Sequence, residues 1–130
     1  MGFPVLICDD SMLARKSAQR ALPDDWDVEV SFAGNGKEAL AMLRRHHFGL
    51  LLLDLTMPEM DGIEVLEQIK VEGIEVFVVV ISGDVQPQMQ QRVMALGALD
   101  FIAKPVNGSR LLTTLQGFGL YRPERHTAHG

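Results

Sequence analysis

Residues 50–82, LLLLDLTMPEMDGIEVLEQIKVEGIEVFVVVIS, decide the fold. Four leucines at 50–53 run without polar interruption, as a strand covered on both faces of a sheet does. Asp54 closes the run. Ile63, Leu66 and Ile69 then recur at helical spacing, and Gly73 ends that stretch where a left-handed cap belongs. A second apolar, β-branched run follows at 76–81. Strand, helix and strand in this order predict two parallel strands joined by a right-handed crossover. Outward from this unit the pattern repeats, with strand-like runs at 5–8, 28–32 and 101–103. Helical faces are expected at Ala14, Ala18 and Ala21; Ala39, Leu40 and Leu43; Met89, Val93 and Leu96; and Leu111, Leu115 and Phe118. Pro23 stops the first helix, Asn35-Gly36 opens the second, and Gly97 suits a left-handed cap after the fourth. The expected fold class is α/β, a doubly wound five-stranded parallel sheet with helices on both faces. In such sheets ligands bind beyond the carboxyl ends of the strands, so the search for chemistry narrows to five loops.

The chain has 130 residues and a mass of 14.4 kDa, which suits one domain of the usual size of about 100–200 residues. With 47% hydrophobic and 22% charged residues its composition is that of a globular protein, and no apolar run approaches the ~18 residues of a membrane span. The amino-terminal stretch carries neither a cationic segment nor a small-residue cleavage site, which points to a cytoplasmic location. Twelve Lys and Arg against seventeen Asp and Glu give a net charge of −5, a poor field for holding nucleic acid directly. Cys8 is the sole cysteine; it can form no internal disulfide and is expected to pack as a small hydrophobe. Residues 121–130 are polar and aperiodic, so the domain is expected over 1–120, with 121–130 a tail or the start of a linker to an output domain. His46 and His47 suit the dipole at the end of the second helix, His126 and His129 fall in the tail, and none of the four reads as a metal ligand.

The strand ends carry the chemistry. The first strand ends in Asp9-Asp10 and the third in Asp54. Two unit charges about 4 Å apart repel by roughly 4 kcal/mol at an effective dielectric of about 20, so three acids together raise a pKa or recruit a cation. Mg²⁺, which prefers oxygen ligands and keeps several waters, suits that set. The fourth strand ends in Val80-Ile-Ser-Gly-Asp84 and the fifth leads into Lys104-Pro105, adding a hydroxyl and an ammonium at the same edge. Phosphoryl transfer asks for a nucleophile, a metal and donors for the equatorial oxygens. Asp54 fits the nucleophile, Asp9 and Asp10 the metal holders, Ser82 the hydrogen-bond donor and Lys104 the counter-charge. Each residue alone has an ordinary surface role; their joint placement at four strand ends points to chemistry.

The motifs Val5-Leu-Ile-Cys-Asp-Asp-Ser11, Leu52-Leu-Asp-Leu-Thr-Met-Pro-Glu-Met-Asp-Gly62, Val80-Ile-Ser-Gly83 and Gly97-Ala-Leu-Asp-Phe-Ile-Ala-Lys-Pro105 follow one another in that order. In this the chain resembles bacterial response-regulator receiver domains of the CheY type, over residues 3–118. The resemblance implies a flavodoxin-like sheet with strand order 2-1-3-4-5. It implies that Asp54 accepts a phosphoryl group from a phosphohistidine on a sensor histidine kinase or phosphotransfer domain. It also implies that Asp10, Asp54 and the Thr56 carbonyl ligate Mg²⁺ while Asp9 acts through water, and that Ser82 and Lys104 contact the phosphoryl oxygens. Gly83 leaves the acceptor uncrowded, Thr56 and Asp84 tune the access of water, and the Lys104-Pro105 bond is expected to be cis. Ser82 is expected to move toward the phosphoryl group and Phe101 to turn inward behind it. That change would alter the surface of the fourth helix, fifth strand and fifth helix, which includes Gln90, Gln91, Phe101 and Arg110. Implied partners are a downstream output protein or covalently linked output domain, with phosphorylation-dependent dimerisation as a further outcome. Such a chain is a switch that catalyses its own phosphoryl transfer and dephosphorylation, not an enzyme acting on separate substrates. The enzymatic alternative, a Mg-dependent phosphatase like the haloacid dehalogenases, needs an acid two residues after the nucleophile. Here that position is Thr56, and the length leaves no room for a cap domain.

Overall fold

The computed structural model describes residues 2–123. Five strands alternate with five helices: β1 Phe3–Cys8, α1 Met12–Ala21, β2 Val28–Ala33, α2 Gly36–Arg45, β3 Leu50–Leu53, α3 Gly62–Glu72, β4 Phe77–Ser82, α4 Pro87–Ala95, β5 Asp100–Ala103 and α5 Gly108–Gly117. All pairings are parallel, and the sheet order is β2-β1-β3-β4-β5. The reversal of direction falls between β1 and β3, where such sheets open a crevice.

Each central strand divides its side chains between two cores, because successive residues point to opposite faces. Leu51 and Leu53 join Leu6, Cys8, Val78 and Val80 beneath α2, α3 and α4. Leu50 and Leu52 join Val5, Ile7, Val79 and Ile81 beneath α1 and α5. The four leucines are at most 1% exposed, which explains why their run shows no alternation.

The helix ends follow local chemistry. Ser11, Asn35, Asp61 and Asn107 cap four amino termini through side-chain oxygens, and Asp61 with Glu64 forms a reciprocal capping box. Gly73, at φ 65°, ends α3 in the left-handed conformation that glycine adopts without a Cβ penalty.

Phe118 departs from its expected place on the apolar face of the fifth helix and is 52% exposed. The buried face of α5 is Leu111, Thr114 and Leu115, and Phe118 is already the carboxyl-terminal cap residue, beyond the last turn that meets the sheet. Past the helix the chain returns to the body. Tyr121 is buried, its ring lies 5.7 Å from Trp26, and its hydroxyl bonds to Asp25. His46 caps the end of α2, while His126 and His129 lie outside the described residues. No described helix is long and apolar enough to cross a membrane.

Candidate functional site

Register gathers the acidic strand ends. Cys8 of β1 pairs with Leu53 of β3, so the residues that follow, Asp9 and Asp54, leave the sheet at one level. The Asp54 amide donates to the Cys8 carbonyl at 3.0 Å, and the Asp9 amide donates to Ala33 at 3.1 Å, holding both at the edge. Ser82 ends β4, and the Lys104 amide donates to its carbonyl at 2.9 Å, which fixes the start of the β5–α5 loop.

Side chains converge from there. The Lys104 ammonium lies 2.7 Å from one oxygen of Asp9 and 3.3 Å from an oxygen of Asp54. The other Asp9 oxygen accepts from the Ser11 amide at 3.0 Å. Asp9 and Asp54 are buried, whereas Asp10 is exposed, and one oxygen from each of the three lies within 4.8 Å of the others. Burial first, then the Asp9 charge, raises the Asp54 carboxyl above the ordinary carboxylate range against the pull of Lys104 and a Thr56 backbone hydrogen bond. For Lys104, burial opposes the charged form, but Asp9 and Asp54 outweigh it and raise its pKa. Three carboxylates facing one ammonium remain short of positive charge, and their all-oxygen donor set matches what a hard divalent cation takes.

Ser82 is fully buried, and its hydroxyl oxygen accepts from the Asp84 amide at 3.0 Å. Thr56 is exposed, beside Asp54 in the β3–α3 loop. Gly83 has open space around it. The Lys104-Pro105 peptide is cis. The cleft beside these groups, about 410 Å³, runs from Asp54 and Lys104 past Pro105 to Leu13 and Ala14 of α1. Of the residues on the expected switching surface, Gln91 and Arg110 are exposed, Gln90 is half-buried and donates to the Val85 carbonyl at 2.8 Å, and Phe101 is 7% exposed within the α4-side core.

Two residues near the rim have roles that the sequence reading did not assign. Arg15 donates to the Asp9 carbonyl at 2.8 Å and so pins the loop that carries both aspartates. A cation one turn into the helix that follows Asp9-Asp10 was the available signal. Gly62 is the second: a Cβ there would lie 2.4 Å from the Asp54 carbonyl oxygen, so α3 can begin against the acceptor residue only with glycine. Cys8 is buried, and burial, followed by the Asp9 and Asp54 charges, pushes its thiol up to about 12, which leaves it uncharged and unreactive.

The family model described as response regulator receiver domain matches residues 5–116. The chain is 33% identical over 115 residues to the chemotaxis protein CheY of Bacillus subtilis, covering 88% of this chain and 96% of that one. It is 41% identical over 102 residues to protein-glutamate methylesterase/protein-glutamine glutaminase 3 of Paramagnetospirillum magneticum, covering 78% of this chain but only 28% of the relative. Among solved structures, the CheX-CheY-BeF3-Mg complex of Borrelia burgdorferi superposes with a TM-score of 0.82 at 29% identity, covering 92% of this chain and 90% of that chain. A sheet ordered 2-1-3-4-5 with its acids on the carboxyl edge is thus matched by sequence across nearly its whole length, and the chain belongs to the response regulator receiver domains of two-component signalling.

Proposed function

We propose that this chain is a Mg²⁺-dependent phosphoacceptor switch in which Asp54 takes a phosphoryl group from a histidine kinase or phosphotransfer domain. The observation that carries this reading is the buried Asp54 carboxylate at the sheet edge, with two further carboxylates and one ammonium around it. An Asp54 oxygen forms the new P–O bond as the P–N bond of a phosphohistidine breaks, and the released imidazole takes its proton from solvent. Water later cleaves the acyl phosphate to restore the carboxylate and release inorganic phosphate. Asp10, Asp54 and the Thr56 carbonyl hold the metal, with Asp9 acting through water. When bound, Mg²⁺ supplies neutralising charge for the transferring phosphoryl oxygens.

The protein's own groups do the rest. Lys104, already 3.3 Å from Asp54, exchanges its Asp9 contact for a phosphoryl oxygen. Ser82 turns its hydroxyl from the Asp84 amide toward the phosphoryl group, and Phe101 occupies the space behind it. The signal leaves through α4, β5 and α5 to a kinase-dependent output, either a separate protein or a domain on the same chain. Relatives of both kinds support this, since the chain spans 96% of one and 28% of another.

The test is beryllofluoride, a phosphoryl mimic, added with Mg²⁺ while amide and side-chain resonances are followed. Saturable shifts at Ser82, Phe101 and Lys104 are expected in the native chain and none in Asp54→Asn. Identical spectra with and without the mimic would overturn the proposal.

A further inference from the structure

We propose that Arg15 is a positioning residue for the metal: by holding the Asp9-Asp10 peptide it aims the Asp10 carboxylate and so sets how tightly the site takes Mg²⁺. The proposal rests on the phosphoacceptor reading above and adds a residue that acts on backbone and not on the acceptor.

Asp9 and Asp54 owe their aim to side-chain bonds. Lys104 holds both, at 2.7 and 3.3 Å, and the Ser11 amide holds the second Asp9 oxygen at 3.0 Å. Asp10 is exposed, and among the described residues no hydrogen bond or ion pair engages its carboxylate, so backbone alone directs it. Two bonds fix that backbone. On the amino-terminal side Arg15 Nη1 donates to the Asp9 carbonyl at 2.8 Å, and because a peptide is planar this orients the whole Asp9-Asp10 unit. On the carboxyl-terminal side the bond from the Ser11 amide to Asp9 closes the turn. Arg15 is itself placed by α1, where its amide donates to the carbonyl of the Ser11 cap at 2.9 Å. Its guanidinium reaches Gly34, where a Cβ would come within 3.7 Å of Arg15 Nη1 and of Glu38 Oε1. The half-buried arginine therefore spans the β1–α1 loop and the β2–α2 turn.

By charge alone, a cation near three carboxylates would oppose Mg²⁺, and its removal would tighten binding. The charges that shift the Asp54 carboxyl are those of Asp9 and Lys104, whereas the Arg15 charge acts on the Cys8 thiol. Geometry is then the larger effect. Without Arg15 the Asp9-Asp10 peptide is free to turn, and the metal must order Asp10 as it binds. Groups that orient a metal's ligands are typically worth about 10–100-fold in affinity.

The experiment titrates the full chain with Mg²⁺ and follows the amide resonances of the site. The variants are Arg15→Met, Arg15→Lys, Asp10→Asn and the combination of Arg15→Met with Asp10→Asn. Arg15→Met should weaken Mg²⁺ binding by about tenfold. Arg15→Lys should fall between it and the native chain, since an ammonium can donate to one carbonyl but lacks the fixed plane of the guanidinium. In the Asp10→Asn background the same Arg15→Met change should cost less than about twofold, because the carboxylate it aims is already gone. Before metal is added, ¹⁵N relaxation should show the Asp10 and Ser11 amides more mobile in Arg15→Met than in the native chain. A merely structural role would lower urea stability and leave the Mg²⁺ midpoint where it is. Unchanged or tighter Mg²⁺ binding by folded Arg15→Met, or an equal loss in both backgrounds, would overturn the proposal. Failure of the native chain to take Mg²⁺ at all would instead strike the phosphoacceptor reading itself, so the two failures are distinguishable.

Discussion

Burial and the neighbouring Asp9 both favour the neutral acid at Asp54 and raise its pKa above the ordinary carboxylate value. Its raised pKa means that the folded chain binds this proton more tightly than the unfolded chain does. Stability therefore falls as pH climbs from the ordinary carboxylate value through the raised one, and stays reduced at neutral pH. Asp54→Asn removes the charge, and without divalent metal it should be more stable than the native chain at pH 7, with the advantage vanishing in acid. Urea unfolding across that range in the presence of chelator checks the sign. Lys104 works the other way. Lys104→Met leaves Asp9 and Asp54 facing each other uncompensated and should cost about 1–2 kcal/mol, discounted because a third of the lysine stays in water. Mg²⁺ should recover most of that loss in the same unfolding assay. Asp9, Asp54, Ser82 and Lys104 were legible because each ends or follows an apolar run. The Arg15 bond to the Asp9 carbonyl was not, because it depends on how a long side chain folds back from α1.

At the scale of the element, the β3–α3 unit both builds the sheet and aims the acceptor. Leu53→Ala opens a void in the core beneath α2, α3 and α4 and should cost about 2–5 kcal/mol by urea unfolding. Gly62→Ala acts differently: its methyl group would press on the Asp54 carbonyl, so stability should fall by about 1–3 kcal/mol and Mg²⁺ affinity should fall with it. Isothermal titration of the folded variant separates the two effects. The strands and most helices could be read from sequence because burial on both faces or on one stripe leaves a periodic trace. The last helix could not be read fully. Its buried face includes Thr114, whose hydroxyl is satisfied by Asp100, while Phe118 falls beyond the last packed turn. Polarity alone gives no sign of either outcome, since both depend on what the neighbouring strand offers.

For the whole molecule, the proposed function has one edge of the sheet receive the chemistry and the α4–β5–α5 face transmit it, with β5 contributing to both. Lys104 follows the strand at the acceptor end, and Phe101 and Asp100 lie within it. The charge balance of −5 does not set this geometry; the register between β1, β3 and β4 does. The central claim is covalent, that Asp54 carries the phosphoryl group. Incubation with Mg²⁺ and acetyl phosphate, followed by borohydride reduction, converts an aspartyl phosphate to homoserine. Peptide mass analysis should then find homoserine at position 54, dependent on Mg²⁺. Homoserine at another aspartate, or unmodified Asp54 under conditions that label a known receiver domain, would contradict it.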